Sequence, residues 1–191
     1  EGAHVLAADI QDEAGAALQQ RFAGRLKYAH CDVTQAAQIL AAVDRAAAEF
    51  GGLDILVANA GIASSAPIEE TTLALWRKNY DVLAEGYFLT ARAAFPLMKR
   101  MQAQGGSSIV FIGSKNGVAA ATNASAYASA KAAANHLARC LALEGAPSGI
   151  RVNVVNPDAV IRGSKIWDGD WRQERAGAHG IDAGAELEEH Y

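Results

Sequence analysis

Tyr127 and Lys131 stand four residues apart in an alanine-rich segment, Asn123–Glu144, that reads as helix. At that spacing both side chains leave one helix face. A lysine ammonium beside a phenol favours the phenolate and draws down a pKa that is ordinarily about 10. The pair is therefore a candidate for proton transfer near neutral pH. Ser114 lies thirteen residues upstream of the tyrosine. It ends the apolar run Ser107–Gly113, and a strand-end hydroxyl there can hold a substrate oxygen. A Tyr-x-x-x-Lys pair alone is also a common surface pattern, so the surrounding elements must decide its meaning.

Those elements alternate. His4–Asp9 reads as a strand, Asp12–Phe22 as a helix and Leu26–Val33 as a strand. Thr34 is placed to N-cap the helix Gln35–Phe50, which stops at Gly51-Gly52. Asp54–Ala58 is a short apolar run of the kind buried on both faces of a parallel sheet. Thr71 or Thr72 caps a long helix to about Met101, with Gly86 and Pro96 as expected kinks. Ser107–Gly113 and Ile150–Val155 are further strands, on either side of the helix Asn123–Glu144. After Pro157 the pattern loosens into short helices expected to lie over a cleft. Strand–helix alternation at this spacing implies a doubly wound parallel sheet, in which ligands bind outside the carboxyl ends of the strands.

Three strand tips have the chemistry for a nucleotide. Asp9 can accept the ribose hydroxyls of an adenosine, or serve as a solvated strand-end residue. Asp32 and Val33 offer a carboxylate and an apolar wall for an adenine ring, and Asp32 equally suits a turn. Asn59-Ala60-Gly61 lets backbone approach a ligand closely, as a plain turn also would.

Composition narrows the class. Seventeen basic residues against 21 acidic ones give a net charge of −4, with no basic run, which argues against a nucleic-acid partner. No apolar stretch approaches the ~18–20 residues of a membrane span, and the first residues lack the basic start and apolar core of a signal peptide. Cys31 and Cys140 sit in unrelated segments, and the five histidines have no ligand spacing. A metal-free, cytoplasmic domain is expected.

With these residues together, the chain resembles the short-chain dehydrogenase/reductase family. The family's Ser–Tyr–Lys set matches Ser114, Tyr127 and Lys131, and its Asn-Asn-Ala-Gly element matches Ala58-Asn59-Ala60-Gly61. Its Asp-Val adenine contact matches Asp32-Val33, its acidic residue after the second strand Asp9, and its Arg-Val-Asn-x-x-x-Pro segment Arg151-Val152-Asn153 with Pro157. The resemblance implies a Rossmann-type α/β fold over residues 1–191 as one NAD-binding domain. It implies catalytic Ser114, Tyr127 and Lys131, with the tyrosine exchanging a proton while a nicotinamide takes or gives hydride. NAD would be held by Asp9, Ile10, Asp32, Val33, Asn59, Ala60, Gly61, Tyr127, Lys131, Pro157 and Val160. Asn116, Arg162 and Lys165 are candidate substrate contacts, with Lys115 adding polar reach beside Ser114. Stretches such as GSKNGVAAATNASAY and RGSKIWDGDW resemble the dehydrogenase half of bifunctional rhamnulose-1-phosphate aldolase/short-chain dehydrogenase proteins, which implies a lactaldehyde or sugar-derived hydroxy substrate and fusion to an aldolase domain. A homo-oligomer through the long helices near 72–101 and 123–144 is also implied.

Three positions depart from the family pattern. The glycine-rich turn and the strand before it have no counterpart, and the last strand has none either. The chain is therefore expected to be a piece of a longer one, with a gap between the strands at His4–Asp9 and Asp54–Ala58. Leu83 occupies the place of the family's catalytic asparagine, and Asn79 lies one helical turn earlier. A kinked helix would let the Leu83 backbone carbonyl take over. Pro157-Asp158 and Arg162 replace the usual Pro-Gly and threonine at the nicotinamide amide. An alternative function follows, a catalytically weak dehydrogenase-like module serving assembly of a larger protein.

Asp9 sets cofactor choice. No arginine follows it, since the next residues are Ile10 and Gln11, so a 2′-phosphate would meet an uncompensated carboxylate at a cost above about 1 kcal/mol. The full-length protein is expected to prefer NADH over NADPH severalfold in steady-state turnover, and equal use of both would remove Asp9 from this role.

Overall fold

The strands are short, and the helices bury stripes of alanine. The structure, a computed structural model, describes residues 2–101, 105–160, 164, 167, 170–184 and 189. Strand β1 is Val5–Asp9, helix α1 Asp12–Arg21, β2 Leu26–His30, α2 Ala36–Phe50 and β3 Ile55–Ala58. Helix α3, Leu73–Tyr80, runs through a π turn at Asp81–Glu85 into α4, Gly86–Arg100. Strand β4, Ser107–Ile112, helix α5, Ser125–Gly145, strand β5, Ile150–Val155, and helix α6, Asp170–His179, follow.

Among the described residues all strand pairing is parallel, in two sheets of order β1-β2 and β3-β4-β5. Val5 pairs with Leu26, Ile55 with Ser108 and Ser107 with Ile150. The expected gap is present, because β1 and β3 are not hydrogen-bonded to one another. Between them lies a cleft of about 640 Å³, lined by Val5, Leu6, Ile39, Leu56 and Ala58 among others. Parallel pairing also brings the carboxyl ends of β3, β4 and β5 to one edge, where the catalytic candidates cluster.

The core sits on one face of the three-stranded sheet. Tyr87, Ala91, Ala94 and Met98 of α4, Ile109 and Phe111 of β4, and Ala134 and Ala138 of α5 are buried together. Alanines at four-residue spacing, Ala126, Ala130, Ala134 and Ala138, let α5 pack closely. In α2 the buried face is Ile39, Val43 and Ala46, and the helix ends on Gly51 at φ 81°, a left-handed turn that glycine adopts without strain.

Several expectations need correcting. The run ending at Ala58 is not buried on both faces, since Ile55 and Val57 are 61% and 54% exposed. Successive strand residues face opposite sides, and the core covers only one. Thr34 does not cap α2. Its N–H and hydroxyl both bond Asp32 Oδ1, at 2.9 and 2.8 Å, and Gln35 takes the cap position without a side-chain bond. Thr72 does cap α3, accepting from Leu75 N at 3.1 Å. The expected kink at Gly86 is the π turn just before it, whereas α4 continues through Pro96. Among the described residues no helix is long and apolar enough to cross a membrane, and no His/Cys/Asp/Glu group has metal-binding geometry. Cys31 and Cys140 are both free.

Thr72→Ala is expected to lower unfolding free energy by about 1 kcal/mol, read from urea denaturation, because Leu75 N–H loses its acceptor. A change below about 0.2 kcal/mol would show that the cap adds nothing to stability.

Candidate active site

Ser114 leaves β4 in an extended conformation and starts a short 3₁₀ turn, Lys115–Gly117. Its position is fixed twice, by Ser114 N donating to Asn156 Oδ1 at 3.0 Å and by Asn116 N donating to Ser114 Oγ at 3.2 Å. The preceding Gly113 has no room for a side chain, because a Cβ there would stand 2.2 Å from Asn156 Oδ1 and 2.7 Å from Asn135 Oδ1. Helix α5 begins across from this turn and brings up Tyr127 and, one turn later, Lys131. Both are buried, at 9% and 4% exposure.

The two titrating groups differ from the expected coupling. Burial pushes the Tyr127 phenol up from its ordinary value, and a hydrogen bond with Ser114 pulls it partly back. The net direction is upward, opposite to the expected one. The ammonium is instead bonded to Ile112 O at 2.7 Å and to Tyr87 Oη at 3.2 Å. Burial itself draws Lys131 down to about 8. The physical reason is the lining: Leu83, Ala130 and Ile62 pack around Tyr127, and the Trp171 ring lies 5.8 Å from it, so charge is desolvated on both groups.

The loop after β3 reaches the same place. A Cβ at Gly61 would lie 4.0 Å from Lys131 Nζ and 3.6 Å from a Leu83 methyl, ordinary contact distances that put this loop beside the ammonium. From β5, Pro157 O accepts Lys115 N at 2.9 Å, and Lys115 Nζ pairs with Asp158 Oδ1 at 2.5 Å. That ion pair gives Asp158 a local role at the position where the family has glycine, and it ties the expected polar reach of Lys115 to the opposite wall. Asn116 is buried.

Asp9, Val33, Asn59 and Ala60 line the cleft between the sheets. Asp9 Oδ1 accepts Gln11 N at 3.0 Å, a turn bond that leaves its second oxygen for other donors. Asp32 Oδ1 makes turn bonds with Thr34, which hold its carboxyl below the ordinary value. Val33 packs on Gly86, where a Cβ would meet it at 3.1 Å. Ile10 and Val160 are exposed. Arg162 and Lys165 lie outside the described residues. Asn79, fully buried, bonds Ser64 Oγ and Leu75 O, both at 2.8 Å, which makes it a structural tie.

Serine, tyrosine and lysine thus meet at the carboxyl ends of parallel strands, and a family model described as short chain dehydrogenase matches residues 1–168. The chain belongs to the short-chain dehydrogenase family. It is 52% identical over 200 residues to "uncharacterized oxidoreductase YuxG" of Bacillus subtilis, covering all of this chain and 28% of that protein. It is 44% identical over 160 residues to a 3-alpha-(or 20-beta)-hydroxysteroid dehydrogenase of Mycobacterium bovis, covering 84% of this chain and 60% of the relative. The chain therefore spans less than two thirds of both relatives' length. Sorbitol-6-phosphate 2-dehydrogenase of Erwinia amylovora superposes at TM-score 0.86 with 29% identity, over 100% of this chain and 74% of that one. A 3-ketoacyl-(acyl-carrier-protein) reductase of Brucella melitensis, in complex with NADH, superposes at 0.79 with 28% identity, over 83% and 66%.

Sequence reasoning missed Tyr87, Trp171 and the Lys115–Asp158 pair. Tyr87 has no motif, and only its place among the buried positions of α4 marks it. The other contacts join segments far apart in the chain.

Lys131 makes stability depend on pH. Its folded pKa is depressed, so the unfolded chain binds the proton more tightly between about 8 and the ordinary lysine value of 10.5. Its contribution to stability is therefore lost as pH falls through about 8 and regained above 10.5. Lys131→Met is expected to be more stable than the parent by roughly 1–3 kcal/mol at neutral pH in urea unfolding, with the difference vanishing at alkaline pH. A pH-independent difference would mean that burial does not strain this charge.

Proposed function

We propose that the protein is an oxidoreductase moving hydride between NAD and a small polar alcohol or aldehyde, such as lactaldehyde or a sugar-derived hydroxy compound. The observation that supports this best is that Ser114, Tyr127 and Lys131 are all buried where β4 ends and α5 begins, with the lysine one helical turn behind the tyrosine. A nicotinamide, when bound, supplies the hydride donor or acceptor. The residues suit its riboside half: the loop at Gly61, the Lys131 ammonium beside it, and Pro157, whose carbonyl is bonded to Lys115 N next to Ser114. Asp9, with one oxygen outside its turn bond, faces the adenosine end across the cleft.

Tyr127 handles the proton. Because burial holds its phenol protonated at neutral pH, it serves as general acid toward a carbonyl oxygen, while Ser114 Oγ donates to the same oxygen and orients it. In that direction the carbonyl carbon gains hydride and its oxygen gains the tyrosine proton. In alcohol oxidation both steps reverse, and Tyr127 must first lose its proton. The wall beside Ser114 is polar through Lys115 and Asp158, and Trp171 closes it with an indole. Arg162 and Lys165 follow in the chain as the further polar candidates by residue type. That setting favours a short hydroxylated molecule over a long apolar one. Fusion to an aldolase domain, and assembly through helices 72–101 and 123–144, belong to the same proposal; exposed Phe88 and Leu143 on those helices support the latter. The reading of an inactive assembly module rests on Leu83, which is fully buried against Tyr127 and offers no polar side chain.

In the full-length protein, Tyr127→Phe is expected to cut turnover by about 10²–10⁴-fold and to leave NADH binding largely intact. Alcohol oxidation should rise with pH through the alkaline range, whereas carbonyl reduction should stay level near neutrality. A panel of hydroxyaldehydes, polyols and apolar secondary alcohols tests the substrate class. Preference for the apolar set would refute the polar reading, and absence of NADH binding to the unmodified protein would favour the assembly module.

A further inference from the structure

We propose that Tyr87 is the positioning residue for the Lys131 ammonium, an inference that rests on the role of Tyr127 and Lys131 proposed above. Three atoms form the device. Lys131 Nζ donates to Ile112 O at 2.7 Å and to Tyr87 Oη at 3.2 Å, and Tyr87 Oη donates to the same Ile112 carbonyl at 2.7 Å. A hydroxyl that has given its one proton to a carbonyl presents lone pairs alone, so it is an obligate acceptor for the lysine. Donating to Ile112 O also polarises the hydroxyl and strengthens it as an acceptor. The ammonium lies 5.0 Å from the centroid of the Tyr87 ring, close enough to be attracted by its π electrons.

The phenol is built to stay neutral and still. Burial pushes Tyr87 well above the ordinary tyrosine value, so it is protonated around neutral pH. Its ring meets Phe111 edge-on, at 5.0 Å and 87°. It sits at the start of α4, directly after the π turn, one helical turn beyond Leu83. Leu83 has no side-chain acceptor and packs on Tyr127 and Ala130. The side-chain hold on Lys131 therefore comes from Tyr87, beside the backbone hold of Ile112 O, and with two ammonium protons committed, the direction of the third is fixed.

The test reads Lys131 directly. In the full-length protein, trace acetylation by acetic anhydride as a function of pH, quantified by peptide mass spectrometry, gives the protonation midpoint of Lys131. Tyr87→Phe retains the ring and its contact with Phe111 and deletes the acceptor. The expected result is a midpoint lower by about one pH unit, a tenfold loss of proton affinity. Phe111→Leu disturbs the ring packing and keeps the oxygen, so it should lower thermal stability and leave the Lys131 midpoint in place. An unmoved midpoint in Tyr87→Phe, or an equal fall in Phe111→Leu, would overturn the proposal by reducing Tyr87 to packing. Should Tyr87→Phe fail to fold, 3-fluorotyrosine at position 87 weakens the acceptor without changing the fold; the midpoint should fall in the same direction, and no fall overturns the proposal. NADH binding separates the two readings. A lowered midpoint in a protein that binds no NADH keeps the positioning role and removes the dehydrogenase function, whereas an unmoved midpoint in a protein that binds NADH and turns over does the reverse.

Discussion

A lysine ammonium buried beneath the end of a β-strand must find acceptors within the protein, because an unpaired charge removed from water costs several kcal/mol. Lys131 finds them in Ile112 O and Tyr87 Oη. Meeting that requirement ties three elements together. Strand β4 must end where Ile112 leaves its carbonyl available, α4 must start where Tyr87 reaches that carbonyl, and α5 must approach closely enough for Lys131 to reach both. The small alanine face of α5 allows the approach. Gly61, in the loop after β3, lies beside the same ammonium.

The apolar surroundings that raise the cost of this charge also set the chemistry of its neighbour. Tyr127 lies among Leu83, Ile62 and Trp171, and burial disfavours the phenolate and keeps the phenol protonated. Ser114 moderates that through its hydrogen bond, and its own place depends on Asn156 of the segment after β5. The serine, tyrosine and lysine are thus one polar set inside an apolar shell, with the carboxyl ends of β3, β4 and β5 supplying backbone from one side. The cleft between β1 and β3 opens onto the same edge, carrying Asp9 on one wall and Asn59 on the other.

Much of this was legible in the sequence. Strand and helix periods gave the elements up to Val155 to within a few residues, though not helix α6, and Ser114, Tyr127 and Lys131 were recognisable by type and spacing. The misreadings have local causes. Thr34 is a good cap by type, but Asp32 two residues earlier offered a nearer acceptor for both its donors. Ile55 and Val57 match the composition of a strand covered on two sides, yet strand composition cannot say which faces a helix will reach. Lys131 stands at the correct spacing to tune Tyr127, but spacing along a helix does not reveal that a carbonyl and a phenol from other elements will claim its protons.

Residue order alone determined the alternation of strands and helices, their parallel pairing, the alanine stripes that bury the helices, and the presence of a serine, tyrosine and lysine at strand-end and helix positions. These follow from interactions between residues a few positions apart, which a linear pattern records. Tertiary structure decided the protonation of Tyr127, the hold of Tyr87 on Lys131, the Lys115–Asp158 pair and the exposed face of β3. Each depends on desolvation or on contacts between distant segments. Such contacts exist only once packing has excluded water and set the distances between atoms.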